Sequence, residues 1–458
     1  MSLGGGRHRN PTQVELPFGQ RGEAPKDQRS DEPRPATNGD VRSGSDHLME
    51  AVVEQCNADE ALKRVRKNKG GPGIDGMTVE GLPGHLAKAW KAVREQLLAG
   101  TYKPSPVKRQ QIPKPGGGVR ELGIPTVMDR FIQQAILQVL QPRFDPTFSE
   151  ASYGFRPGRS AHEAVRAAQK YIQGGRRWVV DVDLEKFFDR VNHDLLMGRL
   201  AKRIGDKRML RLIRSYLEAG IMVNGVVMER QEGTPQGGPL SPLLANILLD
   251  EVDKELEKRG HTFCRYADDC NVYVRSERAG QRVMDALRKQ YAKLRLKVNE
   301  SKSAVASAWS RKFLGYSFWV AKGGEVKRRV APKALEMMKD RVRSITKRPG
   351  GRSMKSVFEE LAGYLRGWKN YFRLADTPNI FANLDKWIRR RLRAVQIKQW
   401  KQGPTAFRGL VARGVPAYQA RVIAAHPHRY WNMATHPALT IAFPTSYYDQ
   451  MGVPQLAT

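Results

Sequence analysis

From Leu48, apolar residues recur at helical spacing through LMEAVVEQCNADEALKRVRKN, break at GGPGIDG and resume through HLAKAWKAVREQLLAG, predicting helices separated by a glycine-rich loop. QQIPKPGGGVRELGIP predicts two short strands about a turn, DRFIQQAILQVLQPRF a helix, and YGFRPGRSAHEAV a loop opening another helix. RRWVVDVDLEKFFDRVNHDLL reads as a strand running into a helix. GTPQGGPLSPLLANILLDEVDKELEKRG reads as a loop feeding a long helix, with Ser241 as N-cap and Pro242 at its first position. In HTFCRYADDCNVYV, strand formers flank an Ala-Asp-Asp corner, which predicts a tight hairpin with Asp268 and Asp269 at its turn. A helix (AGQRVMDALRKQYAKLRL) and a short strand (FLGYSF) follow, and beyond about residue 331 the pattern is almost wholly helical. No internal repeat is visible, which argues against a solenoid. Residues 1–46, rich in Gly, Pro, Arg and Asp, read as a disordered leader.

Charge changes this picture from a fold to a partner. The 458 residues carry 79 Lys plus Arg against 46 Asp plus Glu, a formal charge of +33, so a polyanion is the expected partner. The leader holds seven basic and seven acidic residues, so the excess lies in the part that folds. Residues 331–458 alone carry 22 basic and 7 acidic side chains. Three cysteines (Cys56, Cys264, Cys270) form no CxxC, which argues against a disulfide framework or a cysteine zinc site. No apolar run approaches the ~18 residues of a membrane span. A cytoplasmic protein without a membrane partner, nucleoid-associated when bound to DNA, is expected.

Two acidic segments carry the candidate chemistry. In VVDVDLEKFFD, strand alternation puts Asp181 and Asp183 on one face. Carboxylates gathered there and at the hairpin are costly to bury unless they meet a cation. Mg²⁺ prefers hard oxygen donors, one or two carboxylates plus phosphates and water. Two such ions ~3.5–4 Å apart can activate an attacking hydroxyl and stabilise a leaving pyrophosphate. On this reading alone either strand aspartate qualifies.

The motifs in order identify a family. YADD resembles the polymerase motif of reverse transcriptases, DLEKFFD their first metal-binding motif, and GTPQGGPLSPLLANILL the loop and helix between. IPKPGGGVRELGIPTVMDR resembles their fingers, and YGFRPGRSAHEA a loop typical of the intron-encoded group. The chain from Leu48 thus resembles a bacterial group II intron-encoded reverse transcriptase and maturase. The resemblance implies an α+β right-hand polymerase: fingers and palm with an antiparallel palm sheet (47–330), a helical thumb or maturase X domain (331–402), and a small helical DNA-binding domain (403–458). It implies Asp183, the Leu184 backbone, Asp268 and Asp269 as ligands of Mg²⁺, with Mn²⁺ as a substitute. The five-residue interval to Phe188, which matches the family's steric gate against ribonucleotides, selects Asp183 over Asp181. Gln236 matches the nucleotide-contacting position, and Lys114 and Arg120 the triphosphate-binding pair. Lys302 resembles a lysine proposed to protonate the leaving group, but reads equally as a surface lysine.

In the carboxy-terminal third, GWKNYF resembles the maturase thumb and GVPAYQARVIAAHPHRYWNMATHPALTIAFPTSYYDQMG the small DNA-binding domain. The stripe Tyr364, Trp368, Tyr371 and Phe372 sits at helical spacing and reads as core. KWIRRRLRAVQIKQWK carries seven basic residues and no acid, making Arg389, Arg390, Arg391, Arg393 and Lys398 candidate phosphate contacts. His426, His428 and His436 lack co-ligands for zinc. No paired-cysteine HNH endonuclease follows, so intron mobility would need a primer from elsewhere. The expected activity is RNA-directed DNA polymerisation joined to splicing, with dNTPs, a primed RNA template, group II intron RNA and target DNA as partners. The alternatives are another or a domesticated retroelement reverse transcriptase serving defence or repair, and an RNA-binding splicing factor without polymerase activity. The intact acids and QGGPLSP loop speak against the last.

Overall fold

The computed structural model describes residues 47–113, 118–223, 226–228, 232–234, 237–347, 352–426 and 429–457. The chain divides into two compact units between Arg311 and Lys312.

The first unit holds strands β1 (Val107–Pro113), β2 (Val119–Ile124), β3 (Trp178–Val182), β4 (Ile221–Val223), β5 (Val226–Met228), β6 (Thr262–Tyr266), β7 (Asp269–Val274) and β8 (Ala304–Ser307). They form two four-stranded sheets, β2-β1-β4-β5 and β6-β7-β3-β8. The second sheet is antiparallel throughout, the β3–β7 ladder running from Trp178↔Val274 to Val182↔Cys270. Helices Ala161–Gln173 and Glu277–Lys293 pack against it, so β3 and β7 are mostly buried. Helix Val127–Phe144 is apolar or buried almost all round and forms the centre of the core. Its N-cap Thr126 accepts from the Asp129 amide, and the Asp129 carboxylate accepts from Tyr102, Tyr216 and the Ser105 amide. A buried carboxylate is tolerated here because several donors converge on it.

Two local expectations shift. The first helical pattern is two helices, Leu48–Val53 and Gln55–Asn68, because Glu54 is extended (φ −62°, ψ 141°). Ser241 is not an N-cap but the first residue of helix Ser241–Lys258, following Leu240, and its hydroxyl lies 3.0 Å from that of Thr234.

In the second unit, strands β9 (Lys312–Phe313), β10 (Tyr316–Val320) and β11 (Val326–Val330) form a sheet ordered β11-β10-β9. It groups with the helices that follow, ahead of the 330/331 boundary read from sequence, for a physical reason. Arg328 of β11 makes a bidentate pair with Asp376 (3.0 Å and 3.0 Å), Tyr371 donates to the Leu314 carbonyl (3.0 Å), and the Tyr316 ring stacks on Phe372. Helices Pro332–Thr346, Met354–Phe372 and Pro378–Trp400 pack on one another, and shorter helices continue to Thr445–Gln450. Residues 331–402 and 403–458, read from sequence as separate domains, fall within this one unit. Tyr364, Trp368 and Phe372 are buried and Tyr371 is half-buried, so the stripe is core except at Tyr371, whose hydroxyl reaches the Leu314 carbonyl. Among the described residues no helix is long and apolar enough to cross a membrane.

Candidate active site

The hairpin β6–β7 turns through two residues, Ala267 and Asp268, while Asp269 is already the first residue of β7, paired with Tyr266. Ala267 carries φ +58°, in the left-handed region that favours glycine, and Asp268 does not. A left-handed alanine costs about 1–2 kcal/mol, so its surroundings must hold it. Arg265, fully buried, does so: Nη1 donates to the Ala267 carbonyl (2.9 Å) and to Asn246 Oδ1 (2.9 Å), and Nη2 to Ser152 Oγ (2.7 Å). The same guanidinium grips the equally buried Asp253 through Nε (2.8 Å) and Nη2 (2.6 Å). Residues 151–154 run beside β6, with hydrogen bonds from the Arg265 amide to the Ala151 carbonyl and from the Tyr153 amide to the Arg265 carbonyl (both 2.8 Å). At the end of that run Gly154 lies directly against the turn, where a Cβ would come within 2.2 Å of the Ala267 nitrogen.

Asp183 comes from the neighbouring strand. The β3–β7 ladder ends at Val182↔Cys270, and one step further in the same register sets Asp183 beside Asp269. The Asp183 backbone is pinned by the loop before β8: Asn299 donates to its carbonyl (2.8 Å), and its amide donates to Ser303 Oγ (3.0 Å). Leu184 bridges Val298, but the bridge's hydrogen bonds run through the Asp183 carbonyl and the Glu185 amide, leaving the Leu184 carbonyl outside it. Lys302 Nζ lies 3.5 Å from Asp183 Oδ1. Asp181 has a different environment: Arg311 donates to its Oδ2 through Nε (2.9 Å) and Nη2 (2.5 Å), making it an ion-pair partner.

Asp183, Asp268 and Asp269 are half-exposed at the ends of adjacent strands. The donor set suits a hard cation: three carboxylates and a backbone carbonyl, while burial pushes the neighbouring Cys270 thiol up to about 12 and removes thiolate from contention. Among the described residues no group of three or more His, Cys, Asp or Glu side chains is gathered tightly enough to hold a metal ion.

Phe188 is half-buried, its ring 5.1 Å from that of Phe187 in an edge contact. Its carbonyl accepts from the Thr234 amide (2.7 Å). Lys114, Gln236 and the Arg120 side chain lie outside the described residues, although the strands that flank Lys114 and hold Arg120, β1 and β2, pair as expected. The basic helix Pro378–Trp400 gives most of its cations internal partners. Arg390 donates to the Trp431 carbonyl (3.0 Å) and stacks 4.0 Å over that ring. Arg391 donates to Thr346 Oγ1 (2.9 Å), and burial together with the charge of Arg343 pushes it below the usual guanidinium range. Arg393 donates to the Phe443 carbonyl (3.0 Å), and Lys398 lies 5.6 Å over Tyr430. Arg389 sits on the same helix, half-exposed. Sequence reading missed Arg265, Asp253, Ser303 and Asn299, which act on the acids indirectly; the one available signal was the placement of Arg265 and Ser303 beside motif residues.

Residues 112–318 match the family "Reverse transcriptase (RNA-dependent DNA polymerase)", and residues 335–413 match "Group II intron, maturase-specific domain". The chain is 33% identical over 302 residues to protein YkfC of Escherichia coli, an alignment covering 56% of this chain and 78% of that protein. It is 40% identical over 195 residues to the group II intron-encoded protein LtrA of Lactococcus lactis, covering 42% of this chain and 32% of LtrA, so it spans about a third of that relative. A solved chain of a partial Cas6-RT-Cas1–Cas2 complex is 27% identical with a TM-score of 0.36, covering 56% of this chain and 43% of that one.

Proposed function

The chain belongs to the family of group II intron-encoded reverse transcriptases, and from that premise we propose that it is an RNA-directed DNA polymerase that also binds group II intron RNA, assists its splicing and supports intron mobility. The observation that carries the polymerase half is the juxtaposition, across one antiparallel ladder, of Asp183 at the end of β3 with Asp268 and Asp269 at the β6–β7 turn.

Asp183, the Leu184 carbonyl, Asp268 and Asp269 are the groups that would hold two Mg²⁺ ions, or Mn²⁺ in their place. Bound Mg²⁺ supplies Lewis-acid activation of the primer 3′-hydroxyl and charge neutralisation at the departing pyrophosphate. The residues of the chain do the rest. Phe188 presents an aromatic wall to the sugar and leaves no room for a 2′-hydroxyl. Lys114 and Arg120 orient the triphosphate and meet its developing charge, and Gln236 contacts the incoming nucleotide. Lys302, being 3.5 Å from Asp183 in the absence of substrate, offsets repulsion among the acids.

The second unit supplies the thumb, or X domain, and the DNA-binding segment. Its surplus of basic residues supports intron RNA and target DNA as partners, and the cytoplasm, with the nucleoid when DNA is bound, as the location. Arg389 and Arg390 are the phosphate contacts of choice, because the Arg390 bond to the Trp431 carbonyl is exposed whereas those of Arg391 and Arg393 are partly buried in the packing. The test uses the purified chain with its intron RNA and with a DNA primer on an RNA template. Asp268→Ala is expected to lose Mg²⁺-dependent extension yet still promote splicing. Extension at a near wild-type rate by that variant would overturn the polymerase assignment. Failure of a folded Asp268→Ala protein to splice would overturn the separation of the two activities.

A further inference from the structure

The turn that carries the sugar gate is clamped to the segment 232–234 by backbone hydrogen bonds. The Thr234 amide donates to the Phe188 carbonyl (2.7 Å), the Gly233 amide donates to the Val191 carbonyl (2.8 Å), and Asn192 forms a bridge with Glu232. The approach is close enough to need glycine: Gly233 has φ +92°, and a Cβ there would sit 2.9 Å from the Asp189 carbonyl oxygen. Thr234 is buried, and its hydroxyl lies 3.0 Å from that of Ser241 at the start of the long helix Ser241–Lys258. One side chain closes this clamp. His193, 4% exposed at the first position of helix His193–Ala201, sets Nε2 2.7 Å from the Gly233 carbonyl oxygen. A carbonyl only accepts, so Nε2 carries the proton and donates.

We infer that His193 is a positioning residue for sugar discrimination, holding segment 232–234, and through it the Phe188 backbone, at the distance from which the ring rejects a 2′-hydroxyl. This rests on the polymerase reading above and deepens it. A gate works by excluded volume, and the groups it distinguishes, hydrogen and hydroxyl, differ by little more than a bond length, so a small displacement of its backbone is enough to admit the larger one. The His193 hydrogen bond reaches the gate through Gly233, and then through Thr234, which donates to the gate's own carbonyl.

The experiment measures single-nucleotide incorporation of a deoxynucleotide and of the matching ribonucleotide on a primed RNA template and takes the ratio of their specificity constants. Active fraction cancels in that ratio, so a loss of folded protein alone does not move it. His193→Leu keeps the volume and removes the donor; its deoxy-to-ribo ratio should fall roughly tenfold, equivalent to about 1.4 kcal/mol. His193→Gln offers an amide donor at similar reach and should stay within about threefold of wild type. Should His193→Leu be insoluble, His193→Asn, polar but too short to reach Gly233, carries the same expectation. An unchanged ratio with both rates falling together would overturn the inference. Phe188→Ala separates the levels: if it relaxes discrimination and His193→Leu does not, the inference fails and the gate stands. A wild-type protein that incorporates neither nucleotide would sink the polymerase reading itself.

Discussion

Gly154→Ala tests whether the turn that carries Asp268 is held in place from behind. The added Cβ would lie 2.2 Å from the Ala267 nitrogen and 2.9 Å from the Tyr266 carbonyl carbon, against an ordinary contact of 3.4 Å or more, so a gap of roughly 1.2 Å must open. Both neighbours are backbone and cannot swing aside. Gly154 cannot retreat either, because its carbonyl accepts from Asn246 Nδ2 (2.9 Å) and the preceding Tyr153 amide is bonded to Arg265. The turn carrying Asp268 therefore moves by about 1 Å. Overpacking of this kind costs about 1–3 kcal/mol, and a misplacement of ~1 Å at a reacting centre costs on the order of 10²-fold in rate. Single-turnover primer extension and urea unfolding measure the two effects. Gly158→Ala in the same loop is the control: nothing lies within 4 Å of its Cβ position but its φ is +71°, so it should lose about 1 kcal/mol of stability and keep its rate. Gly154→Ala extending within about threefold of wild type would refute the idea that this loop buttresses the turn.

Arg265→Ala leaves the Asp253 carboxylate buried without its partner and should cost about 3–5 kcal/mol in urea unfolding; the double variant Arg265→Leu, Asp253→Leu should lose less than the single, and a loss under about 1 kcal/mol for Arg265→Ala would contradict the network. For Asp206, burial raises the carboxyl, but hydrogen bonds from Arg208 and the Met49 and Met209 amides outweigh it and hold the group below its usual range. A depressed folded value contributes stability above the unfolded value of about 3.9 and loses it as pH falls through the folded one. Asp206→Asn should therefore weaken the protein at pH 7 and flatten the decline of the urea midpoint below about pH 4; parallel wild-type and variant profiles would argue otherwise. Charge reversal of Arg389 and Arg390 together should weaken intron RNA binding and lower its salt dependence, read by filter binding across a salt series, because fewer counterions are released; an unchanged salt slope would remove them from the interface.

The placement of the candidate acids on strand ends was legible because each motif is contiguous. DLEKFFD and YADD each fit on one strand end, and alternation alone narrowed the first to Asp181 or Asp183. What separates those two physically is Arg311, 130 residues away, and no local pattern announces a partner at that distance. The same holds for Arg265, which reads as one more basic residue of a cationic chain until Asp253 and Asn246 are brought around it by helix Ser241–Lys258. The turn was misplaced by one residue because a left-handed conformation is a glycine trait, and Ala267 adopts it only with its carbonyl bound by Arg265. The arginine run of helix Pro378–Trp400 reads as a free basic face, whereas Trp431 and Phe443, 41 and 50 residues on, supply carbonyls to Arg390 and Arg393. Helical spacing did identify Trp368 and its neighbours as core, since burial of a stripe follows from the period itself.

In the proposed site, Asp183 and not Asp181 joins Asp268 and Asp269 in holding the metal ions. The measurement is Mg²⁺-dependent extension of a DNA primer on an RNA template by Asp183→Asn and Asp181→Asn, each with its unfolding curve. Asp183→Asn should fold as the wild type does and lose at least ~10²-fold in rate. Asp181→Asn, deprived of its pair with Arg311, should lose about 1–2 kcal/mol of stability and still extend the primer. A folded Asp183→Asn that polymerises normally, or an Asp181→Asn that is stable and dead, would overturn that assignment.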